Sequence, residues 1–198
     1  MPRPNPSHDP LGLRAAHADE TAHTHELHHA EPYDAEPTDA ELKAIDGPSG
    51  VLGSAGPTIL RPGSALPSEG EMEFDTADIV SMQAGGTLTD TILHEMIHAL
   101  GFGTIWETLN LLQGITDLRF TGSNGIAAYN AEFTAIAGAD TNSTMGVPVE
   151  TGGGEGTAGG HWDEETFLTE MMTGFSDATN YISAMTVASL EDLGYDTI

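Results

Sequence analysis

Apolar residues in TILHEMIHALGF recur at Ile92, Leu93, Met96, Ile97 and Leu100, the three-and-four spacing of a helix with one buried stripe. Thr89 or Asp90 supplies an N-cap and Gly101 a natural stop, so this is the strongest helix signal in the chain. Upstream, residues 71–80 (EMEFDTADIV) alternate apolar with polar at Met72 and Phe74, which predicts a half-exposed strand ending near Asp75. Residues 47–70 are dense in Gly, Pro and Ser and predict loops around at most a short strand at 58–60. Downstream, a weaker helical pattern covers 130–137, and TGGGEGTAGG predicts a flexible or tightly turning loop. Residues 183–193 predict a helix with Met185, Val187, Leu190 and Leu193 inward, closed by Gly194. No internal repeat interrupts this order.

Residues 1–45 are rich in Pro, Ala, His and acids and almost free of large apolar side chains. Such a segment cannot bury enough surface to offset its ordering entropy, so a disordered leader is expected. Six of the nine His fall here, at His8, His17, His23, His25, His28 and His29. A solvated tail is the plainer reading of them and a metal-loading tract the sharper one. The remaining residues, 46–198, suffice for one folded domain.

Thirty-one Asp and Glu against five Lys and Arg give a formal charge of -26, which argues against electrostatic binding of nucleic acid or an anionic membrane. Such a balance also suits salty surroundings, where ions screen self-repulsion. There is no Cys, so disulfides and thiolates are excluded and any metal must be held by His and carboxylates. No run approaches the roughly 18 apolar residues of a membrane span, and no secretory signal is visible at the N-terminus.

Within the helix, His94 and His98 are four residues apart, so both imidazoles project from one face and can reach one ion. Glu95, one residue on, is placed to deprotonate a water on that metal as general base. A catalytic zinc site needs a third protein ligand. In the compact pattern HExxHxxGxxH that ligand follows the glycine, but here HEMIHALGFGT places Thr104 at its position. Outside the leader and the helix only His161, in GGHWDEE, remains, and elimination favours it; Glu155 and Asp163 are carboxylate alternatives. Calcium sites are compatible with so many carboxylates, but no EF-hand spacing assigns a ligand.

Together, HEMIHALGFGTIW, a long insertion, HW, TEMMTGF, and the flanking EFDTADI and SAMTVASLEDLGY resemble the leishmanolysin family of metzincins over roughly residues 46–196. In that family an insertion separates the motif glycine from the third His ligand, as it would separate Gly101 from His161. The resemblance implies one catalytic Zn²⁺ on His94, His98 and His161, with Glu95 catalytic, Gly101 turning the chain under the metal, and Met172 as the Met-turn residue beneath it. Spacing alone reads Met171 and Met172 as ordinary core filling, and Tyr181, a candidate donor to a tetrahedral intermediate, as packing.

The implied fold is α+β and metzincin-like. An upper lobe (about 46–102) would hold a small sheet and the active-site helix, and an irregular, partly helical lower lobe (about 103–198) would face it across a cleft. The implied function is a zinc metalloendopeptidase acting on peptides or proteins, extracellular or secreted. Family members carry more chain before the strand at Glu71, and well-known relatives carry disulfides and in some cases membrane anchors that a chain without Cys does not take over. The rival readings are a metal-sequestering protein, and an inactive or incomplete family member acting as a binding or adhesion module.

Overall fold

The computed structural model describes residues 39–154 and 156–197; the expected leader up to residue 38, with its six His, and Glu155 lie outside them. The architecture is α+β, with two small three-stranded sheets and short helices. No helix among the described residues is long and apolar enough to cross a membrane.

Strand β3 (Pro67–Asp75) ends where the alternation stops, with Gly70, Met72 and Phe74 buried on one face and Glu71 exposed on the other. It is the middle strand of the first sheet. On one side β2 (Gly53–Leu60) pairs with it antiparallel; on the other, β1 (Asp39–Lys43) pairs parallel. All five residues of β1 are exposed, so a backbone ladder rather than burial holds it. Composition does not report such a ladder, and the expectation that residues up to 45 are leader is corrected at 39–43.

Strand β2 is longer than the expected 58–60 because its glycines serve the packing. A Cβ on Gly53 would stand 3.0 Å from Glu95 Oε1, and one on Gly70 of β3 would stand 3.3 Å from Ala99 Cβ. Glycine therefore lets α2 (Leu88–Ala99) settle directly on the sheet. Before it comes α1 (Ile79–Gly85), which was not expected from the sequence and packs against α2.

Helix α2 is wedged on two sides. Glu95 and Ala99 face the sheet, while Ile97 joins the main core. The expected single buried stripe is corrected: Ile92, Met96 and Leu100 are 37, 48 and 41% exposed, whereas Thr91, Glu95 and His98 are buried. Periodicity identifies the helix but not which face its neighbours cover, and here small and polar residues take the contacts.

The second sheet, of β4 (Leu112–Gln113), β5 (Arg119–Phe120) and β6 (Val147–Pro148), is antiparallel in that order. The expected helix at 130–137 is two helices, α3 (Ser123–Glu132) and α4 (Thr134–Ala139), joined at Phe133. Arg119 grips Asp140 at 2.5 and 3.2 Å, tying β5 to the end of α4. Then follow the single turn α5 (Glu164–Phe167) and α6 (Ala184–Leu193), the latter capped by Ser183 and closed by Gly194 at φ +113° as expected. Val187 of α6 is a correction, being 40% exposed where an inward position was expected.

The main core joins α2 to these elements through a buried aromatic group, Phe102, Trp106, Phe120 and Trp162, with ring centroids 4.6–5.5 Å apart. Truncating one of these rings to Ala removes about 3–5 kcal/mol of stability. Trp162 follows His161 directly, so the core also anchors that part of the site.

Candidate metal centre

His94 and His98 stand one turn apart on α2, and His161 reaches them from the glycine-rich loop. The approach depends on backbone meeting backbone. Gly103 has φ +72°, and a Cβ there would lie 2.1 Å from the carbonyl oxygen of Gly160. Only glycine combines that dihedral with that closeness. Thr104, at the position of a ligand in the compact motif, donates instead to the His98 carbonyl at 3.0 Å and finishes the helix. Gly101, at φ +105°, turns the chain back, and a Cβ on it would meet Ile105 Cδ1 at 2.7 Å.

The loop is closed at its neck. Glu150 N–H donates to the His161 carbonyl (3.0 Å) and Gly159 N–H to the Glu150 carbonyl (2.8 Å). The Glu150 carboxylate accepts from Thr151 N–H, Gly152 N–H and Glu164 N–H at 2.9, 2.6 and 3.2 Å.

The three Nε2 atoms form a triangle with sides of 2.9, 2.9 and 3.1 Å. Each Nδ1 meets a backbone carbonyl: His94 that of Met171 (2.8 Å), His98 that of Phe102 (2.9 Å), His161 that of Thr157 (3.0 Å). A carbonyl only accepts, so each Nδ1 carries the proton and each Nε2 presents a lone pair. Three lone pairs then face one another with no donor between them, an arrangement that a cation relieves. Nitrogens each about 2.0–2.1 Å from one tetrahedral ion lie roughly 3.4 Å apart, close to the observed triangle. The residues present fit a metal ion, and these three could hold one.

Electrostatics point the same way. Burial lowers all three imidazoles; His98 falls well below its usual value, with His94 and His161 adding to the effect, and His161 falls to about 4. The site is therefore neutral and able to ligate near pH 7.

Glu95 is 5% exposed, and burial pushes its carboxyl up to about 8. Its Oε2 has no hydrogen-bond partner among the described residues. Glu95 and the three His line one cleft of about 970 Å³, bounded by Gly53–Ala55 of β2, the glycine-rich loop and Phe175. Asp46, Asp90 and Glu107 also line it, and among the described residues no Lys or Arg does.

The other candidates fall elsewhere. Asp163 caps α5, accepting from Thr166 N–H at 2.9 Å, and is not among the converging groups. Met172 is fully buried in the main core, while Met171 lines the cleft. Tyr181 is 43% exposed and lies outside the cleft. Sequence reasoning missed Gly53 and Gly103, whose lack of a side chain is what the packing uses, and the carbonyls of Phe102, Thr157, Gly160 and Met171, which no side-chain pattern reveals.

The family profile described as leishmanolysin matches residues 56–198. Leishmanolysin of Leishmania donovani is 32% identical over 134 residues, and that of Leishmania major 32% over 136; each match covers 65% of this chain and 22% of the relative. A leishmanolysin homolog of Crithidia fasciculata is 31% identical over 113 residues, 54% of this chain and 17% of its own length. This chain thus spans about a fifth of the length of the curated relatives it matches. Because the profile takes in β3, the α2 histidines and everything through α6, the chain belongs to the leishmanolysin family.

Proposed function

We propose that this chain is the catalytic part of a zinc-dependent endopeptidase, extracellular or surface-associated as its family implies. The observation that carries the reading is the convergence of three Nε2 lone pairs in the same cleft as the unpartnered, buried Oε2 of Glu95. In this reading residues 46–102 form the upper lobe and 103–198 the lower, and Met172 supports the site from the core.

His94, His98 and His161 would hold zinc, which supplies a Lewis acid for the scissile carbonyl and brings a water molecule's pKa toward neutrality. Glu95 then acts through Oε2, taking the proton from water and delivering it to the departing amine. Glu95, whose buried Oε2 has no hydrogen-bond partner among the described residues, lines the same cleft as the three imidazoles. The outer edge of β2 at Gly53–Ala55 borders the cleft, and an edge strand's unpaired N–H and C=O groups can receive an extended peptide.

The test is hydrolysis of a quenched-peptide mixture by the zinc-loaded chain and by Glu95→Gln. The parent is expected to cleave, and the variant to bind zinc equally but lose at least about 10²-fold in turnover. Undiminished turnover in the variant would refute the role of Glu95. Folded, zinc-loaded parent that binds peptide without cleaving it would favour the inactive or adhesion reading.

A further inference from the structure

Glu170, fully buried just before the two methionines, has no part in the chemistry above. The donors that reach it are backbone N–H groups and hydroxyls. Its Oε2 accepts from Met172 N–H at 2.6 Å, and its Oε1 from Ser183 N–H (3.0 Å), Ser183 Oγ (2.8 Å) and Thr186 Oγ1 (2.5 Å). Isolating a carboxylate in a core is expensive, so its presence calls for a use beyond filling space.

That use lies in one peptide unit. The Met172 N–H held by Glu170 and the Met171 carbonyl that accepts from His94 Nδ1 at 2.8 Å are the two ends of the same planar amide. Because the amide is rigid, fixing its N–H also fixes where its carbonyl points. A charged acceptor on the N–H polarises the amide and strengthens the carbonyl as an acceptor at the other end. Partners of this kind orient a ligating imidazole and raise its basicity. The same carboxylate also steadies the neighbourhood of His161: Thr186 Oγ1 accepts from Trp162 Nε1 at 2.8 Å, and Trp162 N–H donates to the Met172 carbonyl at 2.9 Å.

We propose that Glu170 is a positioning residue for the metal ligand His94, acting through the amide between Met171 and Met172. The inference rests on the three-His metal site proposed above. It is a carboxylate–histidine pairing with one peptide unit interposed.

The full 198-residue chain, stripped of metal, is titrated with Zn²⁺ and with Co²⁺ against a competing chelator, alongside Glu170→Gln, Ser183→Ala and His98→Ala. Glu170→Gln is expected to weaken zinc about 10- to 100-fold and to shift the Co²⁺ d–d absorption. Ser183→Ala removes a donor to the other oxygen and the α6 cap, so it lowers Tm while leaving affinity and spectrum unchanged. Parent-like affinity and spectrum in Glu170→Gln overturn the proposal, as does an equal loss of affinity in Ser183→Ala. A parent that binds no metal, or His98→Ala that binds it as tightly, overturns the metal site itself and with it this inference. If Glu170→Gln does not fold, the parent's Met172 amide proton decides: a strong downfield shift with slow exchange supports the proposal, and an ordinary shift with fast exchange overturns it.

Discussion

The backbone of Gly103 touches that of Gly160, the residue before His161, so closely that a Cβ on the first would sit 2.1 Å from the carbonyl oxygen of the second. This contact lets a histidine far along the chain complete a group begun on α2. Gly103→Ala must either leave φ +72° or push the loop away. Holding an alanine at that dihedral costs on the order of 1–3 kcal/mol, and either escape, by refolding the turn or displacing the loop, withdraws His161. The expected outcome is a lower Tm together with zinc affinity reduced at least about tenfold. Calorimetry and metal titration check it, and unchanged affinity would show that the contact does not position His161.

Gly53 has the same relation to Glu95, with a Cβ 3.0 Å from Oε1 and 3.1 Å from the Glu73 carbonyl. Gly53→Val should displace the carboxylate while leaving the histidines in place. Displacements near 1 Å cost about 10² in rate, so kcat is expected to fall by that order with zinc content unchanged. Equal kcat in the two proteins would remove Gly53 from the site.

These two glycines show where sequence reading stops. HEMIH was legible because four-residue spacing on a helix puts two imidazoles on one face. His161 was legible by elimination and through the family resemblance, not from its local sequence, since nothing in GGHW itself says that its loop returns to α2. Gly53, Gly103 and Glu170 gave no signal, because their roles are defined by atoms 42, 57 and 76 residues away, at Glu95, Gly160 and His94. Likewise β3 declared itself by alternation along its own length, whereas β1 and β6 exist through pairing with distant strands, and β4 and β5 are two-residue segments too short to show alternation.

The two outcomes on α2 can be separated by mutation. Met96 is 48% exposed and Ile97 6%. Met96→Gln is expected to change stability by no more than about 0.5 kcal/mol, and Ile97→Ala to cost roughly 2–5 kcal/mol. Urea unfolding of the metal-free variants measures both. A large loss at Met96 would mean that the outward stripe is covered.

With metal removed by a chelator, stability should pass through a maximum near pH 6.5, because two kinds of group titrate with opposite sign. Glu95 has a folded pKa raised to about 8, so from about 4.5 to 8 the folded chain holds a proton that the unfolded chain has released. Its contribution is complete below the unfolded value and is lost as pH rises through 8. The three imidazoles are lowered, His161 to about 4, so below about 6.5 the unfolded chain gains protons that the folded chain refuses. Their contribution is complete above 6.5 and is lost as pH falls toward 4; three such groups outweigh one carboxyl on that side. Glu95→Gln removes the alkaline limb and leaves the acid limb to the histidines, no longer opposed by the carboxyl. Between pH 6.5 and 8 the parent should lose up to about 1.4 kcal/mol per pH unit relative to the variant, one proton's worth, and below 6.5 both should fall because the histidines remain. Urea unfolding of the two proteins from pH 5.5 to 8.5 at fixed ionic strength makes the comparison, and subtracting one curve from the other cancels the repulsion common to a chain of charge -26. Parallel curves across 6.5–8 would mean that Glu95 is ionised in the metal-free fold and reaches water, contrary to its burial at the floor of the cleft.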